Sequence, residues 1–154
     1  MATRVALVTP APLDRPFGDS LRPRMQALGL WTVGWRDFVV YTASPDPTLP
    51  FPQERIRPLG PLQLVPPVRH GCRLVHAHQN SGLFQSGLLW IDLHGLAPLE
   101  ARLNCEAHPG AVRPRIHAAF STWATRRLLH RCGRVICAGR SIADNLQRWQ
   151  PHDR

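Results

Sequence analysis

Leu88-Leu89-Trp90-Ile91-Asp92-Leu93-His94-Gly95 is an apolar run that closes on a polar tip and a glycine. The run before the histidine is too short for a buried helix and has the length of a strand covered on both faces. The strand is expected to end at His94, with Gly95 turning the backbone sharply into the next segment. Upstream, Arg73-Leu74-Val75-His76-Ala77-His78 repeats the pattern of an apolar run with a histidine tip. Two such strands indicate a parallel sheet, in which ligands sit beyond the carboxyl ends of the strands. His94-Gly95 is therefore assigned to a site at that edge.

Working outward, Arg4–Thr9 reads as a first strand closed by Pro10 and Pro12. A loop through Asp14 and Gly18 leads to Asp19 or Ser20, either of which can cap a helix to about Leu28, with Gly29 as its stop. Pro23 falls in the first turn, where its missing N–H does little harm. Asp37–Thr42 is a second buried strand. Eight prolines between Pro45 and Pro67 rule out regular structure through most of that stretch, leaving a short third strand at Ile56 or at Leu62–Val65. The connection Gln79–Gly87 is tight for a parallel crossover, which usually takes a dozen residues or more. Pro98–Cys105 reads as helix and is broken by His108, Pro109, Gly110 and Pro114. Ile116, Ala119, Phe120, Trp123, Ala124 and Leu128 then recur at helical spacing as a core-facing stripe, with Arg126, Arg127 and Arg131 on the solvated side. A last strand, Arg134–Ala138, passes through Gly139-Arg140 to Ser141, which with Asp144 can form a capping box for a final helix.

With 154 residues, the chain is long enough for one domain with a real core. Its 44% hydrophobic content is that of a globular chain. No apolar run approaches the ~20 residues that span a bilayer, and Val5–Val8 is too short for a signal peptide, so the expected location is the cytoplasm. Cys72, Cys105, Cys132 and Cys137 show no C-x-x-C spacing and read as free thiols, several of them buried. The net charge is +9, carried on arginine with no lysine. The arginines are scattered without interleaved aromatics, which disfavours nucleic acid. Peripheral contact with acidic lipid at the inner membrane face fits this charge better.

Parallel order would bring four polar groups to one edge: the Pro10–Gly18 loop, His76/His78, His94-Gly95 and Gly139-Arg140-Ser141. Helix starts near Ser20 and Ser141 would aim free N–H groups the same way, which suits an anionic ligand. The ordered set of strand-loop-Gly-helix, V-H-A-H, D-L-H-G and V-I-C-A-G-R-S before a helix resembles the amino-terminal, acceptor-side domain of family 4 glycosyltransferases of the GT-B fold. The likeness runs from about Arg4 to Trp149. It implies an α/β fold: a Rossmann-like, doubly wound, mostly parallel sheet in a single domain over residues 1–150, with residues 151–154 as a truncated tail. It places His94 against the transferred sugar as the catalytic residue, and Gly18, Gly95, Gly139, Arg140 and Ser141 as substrate-binding. The family's loop after the first strand usually carries a glycine pair, of which only Gly18 is present. The implied reaction moves sugar from a nucleotide-sugar to an acceptor with retention, with no cofactor and no metal. The family's nucleotide-gripping carboxyl-terminal domain, with its pair of glutamates, is absent from this sequence, so a separate chain is the expected partner. Two other readings stand beside this one. One is a non-catalytic or degenerate binding module. The other is a metal-dependent hydrolase using His76, His78, Asp92 and His94 as strand-end ligands.

Overall fold

Period-two alternation runs through every long strand and sorts the side chains onto two faces. Ala6 and Val8 of β1 (Val5–Val8) point with Val39 and Tyr41 of β2 (Phe38–Thr42) into one core. Leu7 points with Phe38 and Val40 into the other. The computed structural model describes residues 4–15, 18–59, 72–83 and 88–149. Within them the strands continue as β3 (Ile56–Pro58), β4 (Leu74–His78), β5 (Leu88–Leu93) and β6 (Arg134–Cys137). The helices are α1 (Leu21–Thr32), α2 (Ala97–Ala107), α3 (Val112–Arg131) and α4 (Arg140–Trp149).

The six strands form one sheet in the order β3-β2-β1-β4-β5-β6, and each neighbouring pair is parallel. This is the Rossmann-like α/β arrangement expected, with every strand parallel. The chain builds outward from β1 in one direction and then from β4 in the other. A crevice opens where the order reverses, beyond the carboxyl ends of β1 and β4. Among the described residues no helix is long and apolar enough to cross a membrane.

One core holds Val75 and Ala77 of β4, Leu89, Ile91 and Leu93 of β5, and Ala124, Leu128 and Leu146 from the helices on that face. The opposite face carries α1 and is divided. Over β1–β3 it is apolar, with Leu7, Phe38, Val40, Phe51 and Ile56 packed against Ala27. Over β4 and β5 the same alternation turns His76, His78 and Asp92 toward α1. That half of the interface is held by polar contacts, not by hydrocarbon.

The tight crossover between β4 and β5 is real. His76 pairs with Trp90 and His78 with Asp92, so the two strands are in parallel register. A single turn of 3-10 helix, Gln79–Gly82, begins the connection. A Cβ on Gly82 would lie 3.0 Å from Ala77 Cβ and 3.1 Å from Leu89 Cδ1, so glycine lets this turn pack closely on the sheet without displacing its neighbours. The single Ser81 hydroxyl hydrogen is within reach of the carbonyls of His78, at 2.6 Å, and Val8, at 3.0 Å, and ties the connection to β1.

Several boundaries differ from the sequence reading. Helix α1 passes through Gly29 and ends at Thr32, and Gly34 just beyond it turns left-handed with a φ of +80°. There Gly34 N–H bonds Trp31 O and Trp35 N–H bonds Leu30 O. Gly29 keeps a helical backbone because Leu30 and Trp31 beyond it still pack on the apolar half of the α1 face. The third strand forms at Ile56, while Leu62–Val65 lies outside the described residues. Pro114 does not break a helix but sits in the first turn of α3, where no intrahelical N–H bond is lost. Helix α4 starts at Arg140, so Ser141 lies inside its first turn, and Asp144 faces Arg140 at 4.0 Å. Gly95 does not adopt a positive φ; its missing side chain makes room for the Glu100 carboxylate. Of the four free thiols only Cys72 is fully buried.

The stripe assigned to the core of α3 is only partly right: Ala124 and Leu128 are buried as expected, whereas Ile116, Ala119, Phe120 and Trp123 are exposed. The buried residues of α3 are Ser121, Ala124, Thr125 and Leu128. Ile116, Phe120 and Trp123 are 64%, 49% and 47% exposed. At about 100° per residue, those three are centred about 120° around the helix from the buried set. The helix thus has two apolar faces, and the small-residue face is the one that lets it approach α2 and the sheet closely. Arg131 is not purely solvated either, since it donates to Leu83 O at 2.8 Å.

Candidate functional site

The first loop is held over the crevice by bonds within it and by others from β2, the segment after β2 and α1. Thr9 Oγ1 accepts from Ala11 N–H, and the fully buried Thr42 Oγ1 donates to Ala11 O at 2.8 Å. Leu13 is completely buried, and its N–H bonds Ser44 O. Arg24 of α1 pairs with the buried Asp46 and also donates to Leu13 O. Ser20 donates to Arg15 O and closes the loop where α1 begins.

This loop roofs a cavity of about 360 Å³ whose wall includes Thr9, Arg15, Asp19, His78, Gln79 and His94. It lies at the reversal point of the sheet. Gln79 is the one non-glycine residue among those described with a positive φ, 53°. A backbone of that kind is uncommon outside glycine and persists where the surroundings hold it in place.

Behind the cavity lies a buried polar cluster with Asp92 at its centre. Asp92 is fully buried and receives Arg22 Nε at 2.8 Å and Gln26 Nε2 at 2.7 Å, both on Oδ2. His76 Nε2 lies 3.4 Å from the same oxygen, a contact and not a well-formed hydrogen bond. Burial alone would push the Asp92 carboxyl upward, but His76, Arg22 and Gln26 more than offset it and hold the group well below the usual carboxylate range. His78 bridges the cluster to the cavity: its Nε2 is 2.9 Å from Gln26 Oε1 and its Nδ1 is 3.0 Å from His94 Nε2. Burial, followed by the neighbouring His76, pushes the His78 imidazole down to about 3, so at neutral pH it is uncharged. His94 completes the line, with its Nδ1 3.7 Å from Asp19 Oδ1 in the cavity wall.

The expected site residues are thus only partly brought together. His94 is in the cavity wall, 11% exposed by side chain, and His78 is directly behind it. Gly18, with φ +60°, adjoins the wall residue Asp19, and Gly95 follows His94. Gly139, Arg140 and Ser141 follow β6 at the same edge of the sheet but are exposed and do not line the cavity. Sequence reasoning missed Arg22 and Gln26. Their i, i+4 spacing places them on one face of α1. Nothing local, however, reveals that this face lies on a strand carboxylate about seventy residues away.

Among the described residues a metal has one candidate place. His76, His78 and Asp92 offer ligand atoms all within 4.8 Å of one another. The Arg22 guanidinium already supplies the positive charge at Asp92. The His76 and His78 rings are near-parallel, with 7° between planes and centroids 5.3 Å apart. Nitrogen lone pairs lie in the ring plane, so parallel, separated rings converge poorly on one ion. The cluster reads more simply as a hydrogen-bonded support for His94. No protein-family model matches the chain, and no curated protein matches it in sequence.

Proposed function

We propose that this domain is the acceptor-side wall of a retaining glycosyltransferase of the GT-B type, related to family 4, with His94 against the transferred sugar. The observation that supports this most is the placement of His94 in a polar cavity at the point where the parallel sheet reverses direction. Ligands of doubly wound sheets collect there. Arg15, Asp19, Gln79 and His94 give the wall both donors and acceptors, as a polyhydroxylated ligand requires. Catalysis of this kind is positioning combined with stabilisation of leaving-group charge in a water-excluding cleft. In this reading a second domain, on another chain or segment, holds the nucleotide. Gly139, Arg140 and Ser141 would face that domain across the open edge.

The test is sugar transfer from a set of nucleotide-sugars, with and without a co-expressed carboxyl-terminal domain. Transfer is expected only in the paired sample and is expected to fall at least about 100-fold in His94→Ala, the scale of one lost transition-state contact. Robust transfer by the chain alone, or a paired enzyme indifferent to His94→Ala, would overturn the assignment.

The peripheral-membrane proposal also gains an observation. The outward stripe Ile116, Phe120 and Trp123 is flanked by Arg126 and Arg127, and Arg127 lies over the Trp123 ring at 5.9 Å. An amphipathic face of this composition suits an anionic lipid surface. The hydrolase reading rests on the His76, His78 and Asp92 grouping. Zinc is expected to leave the melting temperature unchanged, and a zinc-dependent rise lost in His76→Ala would restore that reading.

A further inference from the structure

A carboxylate can only accept hydrogen bonds, and a neutral imidazole has one N–H to give. Applied outward from Asp92, these two facts fix the position of each hydrogen in the buried chain. Gln26 lies 2.7 Å from Asp92 Oδ2 and must turn its NH2 group there, because a carbonyl at that distance would set two acceptors against each other. Its carbonyl oxygen then faces His78 Nε2 at 2.9 Å, so the single N–H of His78 sits on Nε2. The bare Nδ1 of His78 faces His94 Nε2 at 3.0 Å, and His94 must donate. A second acceptor, Asp92 Oδ1, lies 3.6 Å from the same nitrogen and calls for the same hydrogen. On a neutral His94 ring the nitrogen left without a hydrogen is Nδ1, in the cavity wall beside Asp19 Oδ1 at 3.7 Å.

We propose that Gln26 is a positioning residue which, through His78, holds His94 in its Nε2–H tautomer and so presents Nδ1 to the cavity as a hydrogen-bond acceptor. The ligand group received there is a donor, because two acceptors, Nδ1 and the Asp19 carboxylate, meet it. A hydroxyl fits and a phosphate oxygen does not. Any phosphate of the ligand therefore lies away from this pair, toward Arg15 in the same wall. Naming that hydroxyl as a sugar's rests on the glycosyltransferase reading, whereas the tautomer assignment does not.

The test is long-range proton–nitrogen NMR of the imidazole rings in the full 15N-labelled chain at pH 8, with His94 assigned by the signal lost in His94→Asn. His78 and His94 are both expected to show a protonated Nε2 and a bare Nδ1. In Gln26→Met, with the fold checked by circular dichroism, the two His94 nitrogen shifts are expected to move toward each other as the tautomers mix. A wild-type His94 protonated at Nδ1 would overturn the proposal whether or not the variant folds. Unchanged His94 shifts in a folded Gln26→Met would overturn the role of Gln26. Neither result touches the transfer assay, so failure here and failure of the glycosyltransferase reading can be told apart.

Discussion

Asp92 has no path to water, and its partner does. Arg22 is 35% exposed by side chain while Asp92 is fully buried. Removing the arginine strands a carboxylate in the interior, whereas removing the carboxylate leaves a guanidinium that can turn to solvent. Arg22→Leu is therefore predicted to cost about 3 kcal/mol, the lower end for a broken buried pair because Gln26 still donates to Asp92. Asp92→Asn is predicted to cost less, and urea melts of the two variants side by side check the order. An Asp92→Asn protein less stable than Arg22→Leu would mean that the cluster is not organised around the carboxylate. His94 was legible in the sequence because a buried strand ending in a polar tip has few other places to put it. The importance of Asp92 was hidden, since within a strand it is one polar residue among apolar ones. Its partners belong to a helix near the other end of the described chain.

Helix boundaries show what a glycine signals and what it does not. Gly29 and Gly34 both follow apolar residues, and the sequence reading stopped α1 at the first. The helix needs glycine only where the backbone turns left-handed, at φ +80° on Gly34. Gly29 has open space where a Cβ would sit. Gly29→Ala is thus predicted to stabilise the protein by about 0.5–1 kcal/mol, and Gly34→Ala to destabilise it by about 1 kcal/mol. Thermal melts of the pair decide this, and a stabilising Gly34→Ala would contradict the observed helix end. The strands were read closely because short apolar runs and histidine tips are local signals. The orientation of α3 was not, because Ile116, Phe120 and Trp123 carry the same periodicity as a core stripe. Ala124 and Leu128 of the expected stripe do pack, but beside them the packed face is marked by the small polar residues Ser121 and Thr125, a weak signal in one sequence.

On the scale of the whole molecule, the buried histidine links fold to pH. An unfolded His78 takes up a proton near pH 6.5, while the folded one resists until about 3. Between those values acid protonates only the unfolded chain, so stability rises with pH and is lost on acidification. The slope approaches at most about 1.4 kcal/mol per pH unit. Asp92 acts in the same direction lower down: its folded value lies below the ordinary one, so its contribution begins to be lost as pH falls past about 4 and is gone only below the folded value. Urea midpoints should fall between pH 7 and pH 5, and a folded His78→Gln variant should show a flatter dependence. An equal slope in both would remove His78 as the cause.

Ligand is predicted to enter the crevice between the carboxyl ends of β1 and β4 and to cover His94. Diethyl pyrocarbonate modification of the paired domains, read peptide by peptide by mass spectrometry, tests it most directly. With millimolar nucleotide-sugar present, His94 is predicted to be protected while the exposed His108, His117 and His130 react as before. Saturable protection of those surface histidines with His94 still reactive would place the ligand elsewhere and contradict the account.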